Sequence, residues 1–285
     1  MGASDLDEFR HGLLHRQLTS RQVRKSPAVS NHPWQSHEMS QHDEKTYGDR
    51  WAPYYDDIYA GAEEATVELL AGLAGSPPRA LELAIGTGRI ALPLVRKGIE
   101  VVGIDISEDM VDRMRAKPGG EAIDVVIGDI GDVGVEGHFP LVYLAFNTLF
   151  VLLTQERQVE CFVNVAKHLE PGGRFVLDAF VPDIFRWDSD NTRMGVSSIS
   201  SVDEHAYEMS VHYPVEQRTE THVVRRLASG ESVVLPVSVR YVWPSEMDLM
   251  ARLAGLELEN RWDWYDRRPF DENSGQHVSV YRKPL

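Results

Sequence analysis

From Ala80 to Phe180 the chain repeats one pattern: a short apolar run, a turn, then a segment with apolar residues at helical spacing. RALELAI, RIALPLVRKG, EVVGIDI, SEDMVDRMRAK and DVVIGDI follow one another in this way. Such alternation predicts a parallel sheet whose strands are joined by crossover helices. PLVYLAFNTLF supplies a fourth strand, and PGGRFVLDAF a turn and a fifth. Between them TQERQVECFVNVAKHLE predicts a helix with Val159, Phe162, Val163, Ala166 and Leu169 on one face. Cys161 falls away from the centre of that stripe and is assigned no chemistry.

The flanks read differently. Residues 1–44 are polar, rich in His, Ser, Gln and Arg, and are taken as a flexible extension despite a short amphipathic pattern in LDEFRHGLLHRQL. His11 and His15 stand one helical turn apart, but no further ligand follows at metal-site spacing, so they read as a solvated helix face. The globular domain spans residues 45–285. It opens with YGDRWAPYYDDIYAGAEEATVELLAGLAG, an aromatic segment leading into a helix with Val67, Leu69, Leu70 and Leu73 inward. Beyond Phe185 the polarity alternates in HAYEMSVHY, QRTETHVVRRL and SVVLPVSVRYVW, with a Ser229-Gly230 turn, predicting three antiparallel strands. They form an insertion over about 195–243. The helix SEMDLMARLAG starts beside Pro244, and LELENRWDWYD and HVSVYRKP can pair as a hairpin at the sheet edge.

Charge and composition narrow the partners. A net charge of -15 in 285 residues repels nucleic acid and anionic membranes, so neither is expected as a partner. One cysteine allows no internal disulfide and no thiolate metal cluster, in keeping with a reducing, cytoplasmic setting. No signal-like segment opens the chain, and no apolar run reaches the roughly 20 residues that span a bilayer.

The sharpest motif is LELAIGTGRIALPLV, Leu81 to Val95. Gly86, Gly88 and Ala91 satisfy G-x-G-x-x-A, and Asp105 ends the next strand where a ribose-binding acid belongs, so a dinucleotide is permitted. Three features point elsewhere. Glu82 lies inside the strand before the turn, where an anion disfavours a pyrophosphate and favours a cationic ammonium. Asp129 ends the third strand, where a carboxylate can accept a hydrogen bond from an adenine amino group. A long aromatic segment precedes the motif and can cover a ligand; no downstream Tyr-x-x-x-Lys pair appears.

Taken in order, ALELAIGTGRIALPLV, VVGIDISEDMVDRM, VVIGDI and HLEPGGRFVLDAF resemble the successive motifs of the class I S-adenosylmethionine-dependent methyltransferases, from about Tyr47 to the C-terminus. The resemblance implies an α/β fold: a Rossmann-like doubly wound sheet with a reversed terminal strand and a small antiparallel insertion. It implies S-adenosyl-L-methionine as cofactor. Gly86 and Gly88 would let the backbone approach the methionine moiety, with Glu82 and the Ala84 carbonyl near its ammonium. Asp105 would take the ribose hydroxyls, Ile106 and Met110 would pack on adenine, Asp129 and Ile130 would read and flank its amino edge, and Phe146 would line the sulfonium. Ordinary core packing accounts equally well for Met110 and Phe146. One departure is Pro140 in FPLV, where relatives carry an acid entering the fourth strand; it puts that strand's local hydrogen bonding in question.

YGDRWAPYYDDIY further resembles the N-terminal cover of small-molecule methyltransferases, especially those acting on sugar and natural-product amines. That likeness implies a small-molecule methyl acceptor, with an amine nitrogen preferred and hydroxyl or carbon as alternatives. It places Tyr47, Tyr55 and Asn147 as catalytic candidates and Trp51 as a wall, and gives the insertion a role in dimerisation or in roofing the substrate. Aromatics packing a helix on the sheet would explain the same cluster. Of Asp56 and Asp57, at most one can face inward to meet a cationic acceptor. His205, His212 and His222 in the insertion read as surface strand positions, although one could serve as a base. A nicotinamide-dependent reductase and a non-catalytic cofactor-binding module remain the readings of other classes.

Overall fold

The computed structural model describes residues 44 to 285 apart from residue 60, residues 184–193, residues 202–203 and residue 228. All but the last residue of the N-terminal extension, with His11 and His15, lie outside the described residues, as does the side chain of His205.

Three helices precede the sheet: α1 (Glu44–Trp51), α2 (Tyr55–Ile58) and α3 (Glu64–Leu73). Strands and helices then alternate as the pattern predicts: β1 (Arg79–Leu83), α4 (Ala91–Arg96), β2 (Glu100–Asp105), α5 (Glu108–Arg115), β3 (Asp124–Ile127), β4 (Phe139–Leu144), α6 (Gln155–His168) and β5 (Leu169–Phe180). After the insertion come α7 (Pro244–Leu253), β10 (Glu257–Trp262) and β11 (Gln276–Arg282). The seven-stranded sheet has the order β10-β11-β5-β4-β1-β2-β3. Strands β1 to β5 pair in parallel, whereas β11, the last strand of the chain, runs antiparallel to both β5 and β10. The predicted hairpin is therefore the edge of the sheet.

Period-two alternation sorts the strand residues between two apolar layers. Leu81 and Leu83 of β1 join Val142 and Leu144 under α6 and α7. Ala80 joins Leu141, Tyr143, Val176 and Val280 under α3 and α4. Glu82 alternates with Leu81 and Leu83, so it emerges on the second face, beside Tyr143.

Two sequence readings are corrected. The buried face of α6 is Gln158, Cys161, Phe162, Val165 and Ala166, so Cys161 is core while Val159 and Val163 sit at its margin. The rotation follows from a polar tether that periodicity does not register. Gln158 donates to the Arg240 carbonyl at 2.8 Å and receives the Arg240 guanidinium at 2.6 Å. Second, the insertion has four strands, in order: β6 (Met194–Ser201), β7 (Glu204–Tyr213), β8 (Arg218–Arg226) and β9 (Ser232–Arg240). MGVSSISS, rich in serine, carries too little alternation to announce a strand, and pairs with β7 over its whole length. Pro140 remains in β4, and the local irregularity expected there is present: the β4–β5 register slips between Phe139 and Leu141, since proline offers no N–H to the ladder.

Candidate active site

The carboxyl ends of β1, β2 and β4 surround a cavity lined by Tyr47, Tyr55, Gly86, Asp105, Met110 and Phe146 among others. Each strand end turns sharply there. Ala84 after β1 and Phe146 and Asn147 after β4 all have positive φ, 54°, 68° and 59°, a conformation that non-glycine residues hold only when their surroundings enforce it. Part of that enforcement is visible. Asp178 Oδ1 accepts the Asn147 N–H at 2.8 Å, and Asn147 Oδ1 accepts the Phe180 N–H at 2.6 Å.

Asp105 ends β2 with both carboxylate oxygens engaged: Oδ2 accepts the Gly86 N–H at 2.7 Å and Oδ1 the Ser107 N–H at 2.9 Å. Burial pushes its carboxyl above the usual range against the pull of these backbone donors. The bonds fix the glycine turn to the next strand and leave a lone pair on each oxygen for a further donor. Glu82 lies deeper, bordering a small adjoining cavity with Arg89, Ala84, Tyr55 and Phe146. Burial raises it to about 8, with the Tyr143 hydroxyl and the Arg89 charge pulling the other way.

The two motif glycines do different things. A Cβ on Gly86 would meet only the Ala84 carbonyl, at 3.9 Å, so this position faces open space. A Cβ on Gly88 would stand 2.5 Å from Met114 Cγ, so Gly88 is needed to pack the turn against α5 rather than to admit a ligand. The sequence reading gave both to the ligand.

The aromatic segment closes the cavity through a chain of rings. Tyr47 contacts Trp51, Trp51 stacks on Tyr59, Tyr59 meets Tyr55 at 5.0 Å, and its edge contact with Phe146 at 4.8 Å reaches the end of β4. Trp51 is not a wall of the cavity. It is buried, with Nε1 donating to the Pro236 carbonyl at 2.9 Å, and packs with Leu235 of β9 and Met110, so it anchors the cover to the insertion. Asn147 is likewise absent from the lining, its amide oxygen being turned to Phe180. Asp56 bonds Thr87 Oγ1 and Lys117 Nζ at 2.7 and 2.8 Å, which ties the cover to the outside of the turn.

Ile106, Met110, Asp129 and Ile130 do line the cavity. Asp129 Oδ1 accepts the Gly131 N–H at 2.6 Å, and Oδ2 holds Arg157 at 2.5 Å. Burial places the Tyr47 phenol well above its ordinary value and Tyr55 at about 12, so both keep their protons. His212 is engaged with the Tyr241 hydroxyl at 2.9 Å. Sequence reasoning missed Tyr143, Asp178, Tyr265, Thr148 and Arg89. For Asp178 there was a signal: like Glu82, it is an acid inside an apolar strand.

The arrangement suits an adenosyl amino acid: an acid at the ribose position, apolar cover for a ring, a turn open at Gly86, and a buried acid for an ammonium. Residues 80–173 match the family described as methyltransferase domain. The structure of the CcbJ methyltransferase from Streptomyces caelestis superposes with a TM-score of 0.77 at 36% identity, covering 85% of this chain and 100% of that one. The chain belongs to the S-adenosylmethionine-dependent methyltransferases. The cypemycin N-terminal methyltransferase of Streptomyces sp is 27% identical to this methyltransferase, over 71% of this chain and 82% of the relative. The dTDP-3-amino-3,4,6-trideoxy-alpha-D-glucopyranose N,N-dimethyltransferase of Streptomyces venezuelae is 27% identical, over 58% of this chain and 75% of the relative. Among the described residues, no helix of the methyltransferase is long and apolar enough to cross a membrane.

Proposed function

We propose that this methyltransferase transfers a methyl group to an amine nitrogen of a small natural product. The observation that carries the reading is the pair of protonated phenols, Tyr47 and Tyr55, on the wall of a cavity that they share with the apolar side chains of Phe146, Met110 and Val151 and with the acids Asp105 and Asp129. The two N-methyltransferases among the relatives support the same choice.

Bound at the glycine turn, S-adenosylmethionine supplies a methyl carbon already activated by sulfonium. The protein's own work is then to hold and align. Asp105 would accept from the ribose hydroxyls, Asp129 from the adenine amino group, and Ile106, Met110 and Ile130 would enclose the ring. The Tyr47 and Tyr55 oxygens can accept an acceptor N–H and turn the nitrogen lone pair toward the methyl. A partly desolvated cavity lowers an amine's pKa, so its proton is lost without a dedicated base. A hydroxyl acceptor would need such a base, and phenols that burial raises this far above their ordinary value do not serve near neutral pH.

A mass-shift assay with the cofactor and matched amine and hydroxyl compounds tests the reading. The expected result is a methyl gain on amines, reduced about ten- to hundredfold in kcat by Tyr55→Phe with cofactor affinity retained. Methylation confined to hydroxyl compounds would overturn it. A homodimer through the insertion is supported by Tyr207 and Val234, 49% and 52% exposed, both in register with Val224 on one sheet face. Light scattering of the full chain, with Val234→Glu as the dissociating variant, tests that assembly.

A further inference from the structure

Strand β3 ends one side of the seven-stranded sheet, and none of its four residues is buried. The loop that follows it, with Asp129 and Ile130 on the cavity wall, therefore has no further strand to lean on. Helix α6 takes that place. Arg157, Asn164 and His168 fall on one face of this helix, since their spacing is close to whole turns. Arg157 Nη2 donates to Asp129 Oδ2, Asn164 Nδ2 donates to the Gly131 carbonyl, and His168 Nε2 meets the Val135 carbonyl at 2.8 Å. One polar stripe thus fastens the loop along its length.

The Arg157 guanidinium is itself held in place. Its Nη1 donates to Glu160 Oε2 at 2.7 Å, one turn along the helix, while Nη2 reaches Asp129 Oδ2 at 2.5 Å. The loop makes room for it: a Cβ on Gly131 would stand 2.7 Å from Arg157 Cζ and 2.8 Å from Nη1. Gly131 does not have a positive φ, so this glycine serves the close approach of the guanidinium rather than a left-handed turn. Arg157 is not among the residues lining the cavity, and any effect on a ligand passes through Asp129. With the Gly131 N–H on Oδ1 and Arg157 on Oδ2, the carboxylate is fixed at both oxygens and keeps a lone pair on each for a ligand donor.

We propose that Arg157 is a positioning residue that sets the purine specificity of the cofactor site by fixing the Asp129 carboxylate against the loop. The inference rests on the reading of Asp129 as the acceptor for the adenine amino group. A carboxylate held in this way presents acceptors to the cavity; a 6-amino purine answers with a donor, whereas a 6-oxo purine brings an oxygen that is repelled. Without the guanidinium, the Asp129 side chain, 32% exposed, is free to turn toward water, and the two purines are met more nearly alike.

Calorimetry of the full chain with S-adenosylhomocysteine and with S-inosylhomocysteine, whose purine carries a 6-oxo group in place of the amino group, reads the ratio of two affinities. The wild type is expected to prefer the adenosyl ligand by about ten- to hundredfold, the size of one charge-assisted hydrogen bond. Arg157→Gln should cut that ratio by about fivefold or more, and Arg157→Lys, which keeps the charge but not the planar fork, should restore part of it. Gly131→Ala, which displaces the guanidinium without removing it, should lower the ratio as well. Arg79→Gln, at an arginine that holds Glu100 instead, should leave it unchanged. A merely structural role would weaken both ligands together, so an unchanged ratio in Arg157→Gln overturns the proposal, as does an equal fall in Arg79→Gln. If Arg157→Gln does not fold, Gly131→Ala decides by the same ratio. Equal wild-type affinities for the two ligands remove the reading of Asp129 itself, a result distinct from a wild-type preference that the Arg157 variants leave intact.

Discussion

Tyr143 donates its phenolic hydrogen to Glu82 Oε2 at 2.7 Å, and the two residues stand directly opposite each other on neighbouring parallel strands. The strand register thus delivers a donor to a carboxyl that is buried. With its carboxyl at about 8, Glu82 holds a proton at neutral pH in the cofactor-free protein. A ligand ammonium favours the ionised form. Affinity for S-adenosylhomocysteine should therefore rise with pH toward about 8, by at most about tenfold per unit, and Glu82→Gln should flatten the profile. Stability runs the other way. The folded value lies above the ordinary 4.5, so the folded state holds the extra proton, and this group's contribution falls as pH climbs from 4.5 through about 8. A pH-independent affinity in the wild type would contradict the assignment of Glu82.

The unequal duties of the glycines predict unequal mutants. Both positions have positive φ, 56° at Gly86 and 75° at Gly88, so alanine strains either one by about 1 kcal/mol. Gly88→Ala adds an overlap with Met114 Cγ and should cost a further ~1–3 kcal/mol in urea unfolding. Gly86→Ala should unfold at a higher urea concentration than Gly88→Ala, yet lose more cofactor affinity relative to its stability loss. Equal stabilities for the two variants would refute this division.

Asp178 ties three elements together at the back of the cavity. It accepts from the Asn147 N–H and from the Tyr265 hydroxyl, at 2.8 and 2.9 Å, and burial pushes its carboxyl upward. Tyr265→Phe removes one of its donors inside the core and should lower stability by about 1–3 kcal/mol. Because the same carboxyl restrains the backbone at Phe146, amide exchange over residues 146–150 should accelerate in this variant. Unchanged exchange there would mean that the loop is held by other contacts.

His277 is buried in β11, with Nδ1 2.9 Å from Ser279 Oγ and Nε2 without a hydrogen-bond partner among the described residues. Burial, aided by the Arg261 charge, lowers it from 6.5 to about 3. Its unfolded form takes up a proton that the folded form refuses, so the stability tied to neutral His277 is complete above 6.5 and declines as pH falls toward 3. The steepest loss is about 1.4 kcal/mol per pH unit. His277→Val should make denaturant midpoints less sensitive to acid than the wild type over that window; parallel profiles would rule the group out.

The alternating apolar runs from Ala80 to Phe180 determined the parallel sheet by themselves, because burial on a pleated strand and along a helix face imposes periods that the order of residues alone can display. The strand ends carried most of the cofactor reading as well. Gly86, Asp105 and Asp129 each mark a turn at the carboxyl edge, and a parallel sheet gathers those ends in one place. Other properties depended on partners remote in sequence. Trp51 became an anchor rather than a wall because Pro236 offers it a carbonyl, 185 residues away. Gln158 turned α6 because Arg240 reaches it, and Asn147 faced Phe180 because Asp178 holds its backbone. Glu82 was visible as an acid in a strand, yet its raised pKa required the burial around it and Tyr143 opposite. Local patterns record which face of an element is apolar, whereas hydrogen-bond partners and desolvation are set only when separate elements meet.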